Sequence, residues 1–393
     1  SKPSAMRANT VLWALGLLGS PGGALVASPT PLRVLLCDPA TGHGAERLRG
    51  EGLEVEELRG VSDAELQATV AASDSPVALV VSSANTVGQD LARCENLVLV
   101  CRAGVGTDNI DLAACAEHLV PVATAPFPSA RAVSELTLGL TLALARRIPE
   151  AQESLKSGHW RRRSLMGHTL QGKTMALLGT GRIGSRVAAL AQAFGMVPTA
   201  VASQSSSDRD QRLRDAGILL VPSLEDLLRE ADVLSLHVPL TDATRGLLST
   251  EEIALMKPSA WVVNTARAEV IDEEAMLEAL DSERLAGAAL DVWSVEGDIG
   301  DGNLSWKAPP STTCRRLAEH PRVVSTPHLG ASTHESAAEI QIDVARDIGS
   351  FLRGEAPASM VGDHGLESLQ ESWRKIGVAP ASSDVGGEAT STS

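Results

Sequence analysis

A glycine-rich turn between a strand pattern and a helix pattern constrains the fold of this chain most. The segment from Met175 to Ala188, MALLGTGRIGSRVA, begins with an apolar run, has glycines at 179, 181 and 184, and continues as a helix. Gly179 permits a tight turn, Gly181 lets backbone approach a phosphate, and Gly184 lets the helix pack close to the strand. The amides at the start of the helix then face an anion. The pattern favours a dinucleotide site, although an ordinary strand-to-helix turn remains the alternative.

Composition and charge narrow the class of protein. The chain has 393 residues, which is long enough for two domains. Its composition, 44% hydrophobic and 21% charged, is ordinary for a globular protein. The net charge of -15 argues against a nucleic-acid partner and against an anionic membrane surface. Cysteines occur in an odd number without a CxxC pair, so neither a disulfide framework nor a metal site is predicted. They are Cys37, Cys94, Cys101, Cys115 and Cys314.

Short apolar runs alternate with helical patterns from residue 31 onward. Strands are predicted at 32–37, 54–58, 77–81, 97–102, 175–178, 197–201, 233–237, 261–264, 288–292 and 323–325. Such alternation predicts an α/β fold, with doubly wound parallel sheets covered by helices. A long periodic helix from Ser129 to Arg147, followed by Pro149, is expected to pass from one unit to the next.

The two ends of the chain differ in composition from the rest. Residues 1–30 combine Met6-Arg7 with a short apolar run, which fits either a targeting leader or a disordered extension. We expect a cytoplasmic protein, with delivery to a plastid or mitochondrion through residues 6–28 as the open alternative. Residues 356–393 are rich in Ser, Gly, Ala and Glu, and this composition predicts a disordered tail without an effector domain.

Polar residues follow three strand patterns of the second unit. Arg267 follows one strand, Asp291 with the nearby Glu296 another, and His328 a third. Because parallel strands end at one sheet edge, these side chains are expected to share a crevice. There His328 could act as a base, Glu296 could orient it, and Arg267 could hold a carboxylate. A surface ion pair, a turn histidine and a solvated carboxylate are the plainer interpretations of the same residues.

Five motifs in order resemble one known family. RAGVGTDNID at 102–111, LLGTGRIG at 177–184, VVNTAR at 262–267, GAALDVW at 287–293 and TPHLGAST at 326–333 are similar to those of the D-isomer-specific 2-hydroxyacid dehydrogenases, above all their phosphoglycerate branch in serine biosynthesis. The resemblance implies a Rossmann nucleotide domain, residues 125–330, inserted in a flavodoxin-like substrate domain, residues 31–124 and 331–355. It also implies a hydride-transfer enzyme that uses NAD, acts on a small hydroxy or keto acid, and forms a homodimer.

The resemblance assigns roles residue by residue. Arg267, Glu296 and His328 match the family's catalytic Arg, Glu and His. The substrate carboxylate would meet Val105, Gly106 and Arg267. The implied cofactor-binding positions are Gly179, Gly181, Arg182, Ile183, Gly184, Ser203, Val238, Thr265, Ala266, Asp291 and Gly330.

Two departures from the family pattern leave the cofactor and the substrate open. Ala202 stands where NAD-specific members carry an acid, so NADP is an alternative, with its phosphate at Ser203, Ser205, Arg209 or Arg212. Ser82 stands where phosphoglycerate dehydrogenases carry an arginine, which keeps a hydroxypyruvate or glyoxylate reductase open. A nucleotide-sensing binding protein like the family's corepressors is the alternative from another class.

Overall fold

The chain forms two parallel sheets, each covered by helices. The structure is a computed structural model that describes residues 32–37, 43–50, 52–82, 85–203, 205–296, 312–362 and 365–381. Each sheet belongs to its own unit and has apolar residues on both faces, as sheets between two helix layers do. This arrangement confirms the predicted fold class of two doubly wound units.

The first sheet has six strands in the order β13-β5-β4-β3-β1-β2. Five of its strands pair in parallel, in the flavodoxin-like order β2-β1-β3-β4-β5. The sixth strand, β13, pairs antiparallel with β5 at the edge of the sheet. The central strand β3, VALVV, is buried along its whole length. The bounds are β1 (Arg33–Cys37), β2 (Glu54–Leu58), β3 (Val77–Val81), β4 (Leu97–Arg102), β5 (Val122–Thr124) and β13 (Met360–Val361).

The second sheet has seven strands in the order β12-β11-β10-β9-β6-β7-β8. All its pairs are parallel, and the strand order reverses at β6, so β6 and β9 flank the switch point where such sheets bind ligands. The bounds are β6 (Thr174–Leu178), β7 (Val197–Val201), β8 (Leu219–Val221), β9 (Val233–Leu236), β10 (Trp261–Asn264), β11 (Gly287–Leu290) and β12 (Val323–Ser325).

Helices cover both sheets within the described residues. In the first unit they are α1 (His43–Gly50), α2 (Asp63–Ala71), α3 (Gln89–Ala92) and α4 (Leu112–Glu117). From the connection onward they are α5 (Pro126–Arg146), α6 (Ile148–Lys156), α7 (Arg182–Ala193), α8 (Ser207–Asp215), α9 (Leu224–Glu230), α10 (Thr250–Leu255), α11 (Glu273–Asp281), α12 (Thr313–Glu319), α13 (His334–Leu352) and α14 (Gly365–Ile376). A 3₁₀ turn spans Ala268–Val270.

Two long helices join the units. Helix α5 leaves the first sheet after β5 and packs on the second, and it ends where Arg147 adopts a left-handed φ of 52°. Helix α13 returns the chain to the first unit, where Phe351, Ile348 and Ala345 join its core. Residues that follow the carboxyl ends of strands in both sheets line one cleft.

The tail folds further than its composition predicted. The prediction of disorder from residue 356 is wrong for 356–362 and 365–381, because β13 pairs with β5 and α14 packs on the first unit. Leu369, Trp373 and Ile376 recur at helical spacing and are almost fully buried in that core. Three apolar residues were enough to dock a segment whose average composition is polar. Residues 382–393 and the proposed leader, 1–30, lie outside the described residues.

The sequence patterns missed several of these elements. The described residues contain neither a membrane-spanning helix nor a cluster of metal ligands. The elements that were not predicted are the strands β5, β8 and β13 and the helices α3, α4, α6, α8, α12, α13 and α14. None of the helices in the described ranges has the length and apolar character needed to cross a bilayer. No group of metal-ligating side chains occurs in that part of the chain either.

Candidate active site

A deep cleft of about 1570 Å³ runs between the two sheets. Its walls include most of the residues that the sequence had singled out for chemistry. Those that line it are Val105, Gly106, Gly181, Arg182, Ile183, Val238, Thr265, Ala266, Arg267, Glu296, His328 and Gly330. Gly179, Gly184, Ser203 and Asp291 lie outside this lining, and their environments are described below.

The glycine turn has the geometry that a dinucleotide phosphate requires. Gly179 adopts a φ of +101°, and a Cβ there would lie 2.6 Å from the carbonyl oxygen of His237. A Cβ on Gly184 would lie 2.1 Å from the carbonyl oxygen of Gly179, so helix and turn touch through backbone. A Cβ on Gly181 would meet no atom within 4 Å, so this glycine faces open space in the cleft at the start of α7. The turn therefore offers helix amides to an anion at Gly181.

An aromatic ring contacts the first residue of α7. The guanidinium carbon of Arg182 lies 5.0 Å from the ring centroid of Phe127, close enough for a cation–π contact. Phe127 lies at the start of α5 and is 61% exposed, which is unusual for a phenylalanine. The contact links the beginning of the connecting helix to the beginning of α7. Sequence patterns give no signal for it, since the residues are 55 positions apart.

His328 and Glu296 form a hydrogen-bonded pair in the cleft. Nδ1 of His328 lies 2.9 and 3.0 Å from the two carboxylate oxygens of Glu296, and both side chains are about one-third exposed. The backbone N–H of Trp293 donates to the same carboxylate at 3.3 Å. Burial opposes ionisation of Glu296, but the hydrogen bond and charge of His328 outweigh it and hold the pKa of the carboxyl below its usual value. The pair leaves Nε2 of His328 for the cleft.

Asp291 supports the turn that carries His328. Its carboxylate is fully buried and accepts hydrogen bonds from Thr326 Oγ1, Leu329 N and Gly330 N at 2.6, 2.7 and 2.8 Å. Its own carbonyl oxygen accepts from His328 N at 2.8 Å. Burial raises the pKa of Asp291, and these donors and the charge of His328 act against the increase. The residue thus fixes the conformation of the turn from behind the cleft wall.

Arg267 reaches the cleft from the end of β10. Its Nε and Nη2 donate to Oδ1 of Asp108 at 2.9 and 2.7 Å, which joins the second unit to the loop after β4. Burial opposes ionisation of Asp108, but the hydrogen bonds and charge of Arg267 outweigh it and lower its pKa. The amide of Asn264 donates to the carbonyl of Arg267 at 2.8 Å and fixes the backbone. Asp108 was not predicted as a site residue, although it belongs to the RAGVGTDNID motif.

Arg102 provides a second guanidinium beside the loop that contains Val105 and Gly106. It ends β4, lines the cleft, and is only 8% exposed. Nη1 donates to the carbonyl of Ala103 at 2.7 Å, whereas its buried Nε makes no hydrogen bond to any described residue. Burial and the charge of Arg267 lower its pKa to about 10. A buried cation with an unsatisfied donor is costly in isolation, which points to an anionic ligand.

Known proteins are similar to this chain in sequence and in fold. A model of the NAD-binding domain of D-isomer specific 2-hydroxyacid dehydrogenases matches residues 138–330. The D-3-phosphoglycerate dehydrogenase of Methanocaldococcus jannaschii is 39% identical over 84% of this chain and 59% of its own length. The hydroxypyruvate reductase of Thermotoga maritima is 42% identical over 69% of this chain and 83% of its own length. The crystal structure of TT0316 protein from Thermus thermophilus has a TM-score of 0.72 and 34% identity, and covers 84% of this chain and 100% of its own.

A Rossmann domain and a flavodoxin-like domain with a His–Glu pair between them define a two-domain nucleotide-binding protein. The chain belongs to the D-isomer specific 2-hydroxyacid dehydrogenase family. The domain that contains the glycine turn is the family's NAD-binding domain. The chain spans about 60% of the length of the M. jannaschii and Synechocystis phosphoglycerate dehydrogenases.

Proposed function

We propose that this protein is a nicotinamide-dependent oxidoreductase that interconverts a D-2-hydroxy acid and its 2-keto acid, most nearly of the phosphoglycerate dehydrogenase type. The observation that carries the proposal is the His328–Glu296 pair, which faces the same cleft as Arg267 and the glycine turn. Acid–base chemistry, carboxylate recognition and dinucleotide binding therefore meet in one place.

His328 exchanges the proton in this proposal. Because Nδ1 is held by Glu296, Nε2 takes the proton of the substrate hydroxyl during oxidation and returns it to the carbonyl oxygen during reduction. Glu296 stabilises the imidazolium that forms when the proton is taken.

Arg267 and the loop at Val105 and Gly106 bind the acid end of the substrate. The guanidinium has a planar set of donors that can hold a carboxylate and polarise the neighbouring carbonyl. A substrate carboxylate would take over donors that now bind Asp108. The backbone amides of the loop after β4 complete the anion site.

The donor set of the cleft fits a nicotinamide dinucleotide. The pyrophosphate would lie against Gly181, Arg182 and Ile183 at the start of α7, where a Cβ on Gly181 would meet only open space. When bound, the nicotinamide accepts or supplies the hydride. Thr265, Ala266, Val238 and Gly330 also line the cleft and would exclude water around the nicotinamide. Asp291 acts in this proposal through the turn at His328.

Arg102 supports a substrate with a second negative charge. Arg102 lines the cleft beside the loop at Val105 and Gly106, so its guanidinium could bind a phosphate at the far end of a three-carbon acid. This observation favours a phosphorylated acid over one without a phosphate. The specific observation that favours the alternative, a hydroxypyruvate reductase, is Ser82, which lines the cleft where an arginine would otherwise meet a phosphate.

Reduction of three keto acids tests the proposal. Wild-type protein is assayed with 3-phosphohydroxypyruvate, hydroxypyruvate and glyoxylate, each with NADH and with NADPH. We expect the phosphorylated acid to have the highest kcat/KM. Arg102→Gln should lower kcat/KM for that acid by about 10- to 100-fold, as loss of a charge-assisted contact does, while hydroxypyruvate changes little. Arg102→Lys keeps the charge and serves as the control.

The outcomes separate the candidate functions. Preference for hydroxypyruvate or glyoxylate, unaffected by Arg102→Gln, would assign the chain to the reductases. NADH binding without turnover of any acid would favour a nucleotide-sensing role. Loss of all activity in Arg102→Lys as well would mean that Arg102 supports the fold and not the substrate.

The assembly we propose is a homodimer through the nucleotide unit. Four large apolar side chains between residues 148 and 166 are 50–82% exposed, and they are Ile148, Leu155, Trp160 and Met166. Clustered exposed apolar residues of this size mark interaction surfaces, and a second copy is the simplest partner for such a surface. Light scattering should give twice the chain mass, and Trp160→Glu should shift it to the monomer. A monomeric wild type would contradict the assignment.

A further inference from the structure

The loop after β7, where Rossmann domains bind the adenosine ribose, lacks the acid that binds the ribose hydroxyls. In Rossmann domains an Asp or Glu after the second strand binds these hydroxyls in NAD, whereas a nearby arginine accommodates the 2′-phosphate of NADP. Here β7 ends at Val201, and the residue that follows is Ala202, which has no carboxylate. The backbone N–H of Ala202 donates to Val221, so the position belongs to an ordered strand end.

The acid that the structure does provide, Asp210, is occupied. Both of its carboxylate oxygens accept from the backbone N–H of Ser203, at 2.9 and 3.0 Å, and Oδ1 also accepts from Nη1 of Arg209 at 3.0 Å. The residue is only 6% exposed. Its carboxylate closes the loop after β7, so ribose hydroxyls would have to break these bonds to reach it.

A cation lies at the ribose position instead. Nη2 of Arg209 donates to Oγ1 of Thr180 in the glycine turn at 2.8 Å, and Nη1 donates to the carbonyl of Val201 at 3.3 Å. The guanidinium therefore bridges the ends of β6 and β7, where the adenosine ribose of a dinucleotide lies in this fold. Its side chain is 35% exposed, so it can meet a ligand from solvent.

Hydroxyl groups accompany this cation. Ser203 Oγ accepts hydrogen bonds from the backbone N–H groups of Ser205 and Ser206, at 3.3 and 3.1 Å. Because its lone pairs are used in this way, its own O–H proton can donate to an added anion. The Oγ of Ser205 lies 3.5 Å away. Cation and hydroxyls together form a donor set that suits a phosphate monoester better than a diol.

We infer that Arg209, with Ser203, binds the 2′-phosphate of NADP(H), so that the chain binds the phosphorylated coenzyme more tightly than NAD(H). The inference rests on the proposed function for the presence of a dinucleotide, and it adds which of the two coenzymes is recognised. Asp210 holds Arg209 and the loop in place and is a positioning residue. The phosphate would share the guanidinium with Asp210, which limits the gain in affinity.

Binding of two mononucleotides tests the inference without any turnover. Adenosine 2′,5′-bisphosphate and adenosine 5′-monophosphate differ only in the 2′-phosphate, and calorimetry measures both dissociation constants. We expect wild type to bind the bisphosphate about tenfold more tightly, the effect of one charge-assisted contact. Arg209→Gln should abolish that difference and leave the monophosphate unchanged. Ala202→Asp should reverse the preference, because the new carboxylate repels the phosphate and accepts from the ribose.

Two exposed arginines on the same helix provide matched controls. Arg214→Gln removes the same charge from α8 and should keep the preference. Arg212→Gln should keep it too, and loss of the preference in this variant but not in Arg209→Gln would overturn the assignment to Arg209. Equal binding of the two nucleotides by wild type would overturn the inference while leaving the dehydrogenase proposal intact. Failure to bind either nucleotide or NADH would instead remove the nucleotide site and the proposed function with it.

Discussion

Nδ1 of His328 lies within 3.0 Å of both carboxylate oxygens of Glu296, although the two residues are 32 positions apart. His328 adopts a left-handed backbone conformation with a φ of 52°, which a non-glycine residue rarely does. The hydrogen bonds from the turn to Asp291 hold this conformation. A strained residue that is fixed by a buried carboxylate is typical of a site whose geometry matters more than its stability.

Glu296→Gln should show how much the charge of Glu296 contributes to kcat while His328 itself is retained. The amide can still accept from Nδ1, but it lacks the charge that stabilises an imidazolium, so we expect kcat to fall about 10²-fold or more. Affinity for NADH should change less than about twofold, since the carboxylate lies away from the glycine turn. Because the pKa of Glu296 is below its usual value, the wild-type carboxylate stays charged down to acidic pH, and its contribution to kcat is lost as the pH falls through that lowered pKa.

Glu273→Gln is the matched control for that change. Glu273 accepts from Ser294 N and Oγ, at 3.2 and 2.7 Å, in the same part of the second unit, but it does not line the cleft. Its kcat should equal that of wild type in steady-state assays. An equal loss in both variants would mean that the Glu296 effect is structural.

Gly106→Ala should lower kcat/KM because the added Cβ would displace the guanidinium of Arg267. A Cβ at this position would lie 1.8 Å from Nη2 of Arg267 and 2.8 Å from Oδ1 of Asp108, so the guanidinium has to move. Displacement of a catalytic group by about 1 Å costs on the order of 10²-fold, and we expect that loss in kcat/KM for the keto acid. Gly88→Ala, where a Cβ meets nothing within 4 Å, is the control. Full activity of Gly106→Ala would show that Arg267 does not bind substrate in this position.

His237 should make the nucleotide unit less stable in acid. Burial lowers the pKa of this imidazole to about 3, whereas in the unfolded chain it is an ordinary histidine near 6.5. As the pH falls, this histidine is therefore protonated in the unfolded chain at a higher pH than in the folded protein. Its contribution to the free energy of unfolding is fully present above about pH 6.5 and is lost as the pH falls from there toward 3. Between pH 7.5 and 5.5 the loss from this residue is about 1.4 kcal/mol.

Urea unfolding at these two pH values measures that contribution. In His237→Asn the free energy of unfolding should fall by about 1.4 kcal/mol less than in wild type over the same interval. His159→Asn, at an exposed position, should follow wild type. The same pH dependence in His237→Asn and wild type would rule out His237 as the source, whatever the absolute stability of the variant.

Local patterns were sufficient to predict the parts of the fold that depend on near neighbours. The glycines at 179, 181 and 184 act within one turn, so their spacing alone predicted the tight turn after β6 and the start of α7. The alternation of strands and helices likewise predicted two parallel sheets. The candidate catalytic residues were found because each follows a strand, and the ends of parallel strands meet.

Features that depend on distant pairs were not predictable from one sequence. The contacts Arg267–Asp108 and Phe127–Arg182 join segments far apart in the chain, and no local pattern marks them. Arg102 was visible as a motif residue, but only its burial shows that it has an unsatisfied donor. The prediction of a disordered tail used its average composition, and an average does not show the few apolar residues that pack on the first unit.

Trp373→Ala should measure how firmly that tail is held. Trp373 is 2% exposed, its Nε1 donates to the carbonyl of Phe351 at 2.8 Å, and the two rings lie 6.2 Å apart. Truncation of a buried tryptophan costs about 3–5 kcal/mol, which we expect as a loss in the free energy of unfolding followed by circular dichroism. Arg374→Ala, which removes an exposed ion pair on the same helix, should leave the free energy of unfolding almost unchanged, because water screens exposed ion pairs. If Trp373→Ala were as stable as Arg374→Ala, α14 would not belong to the core of the first unit in solution.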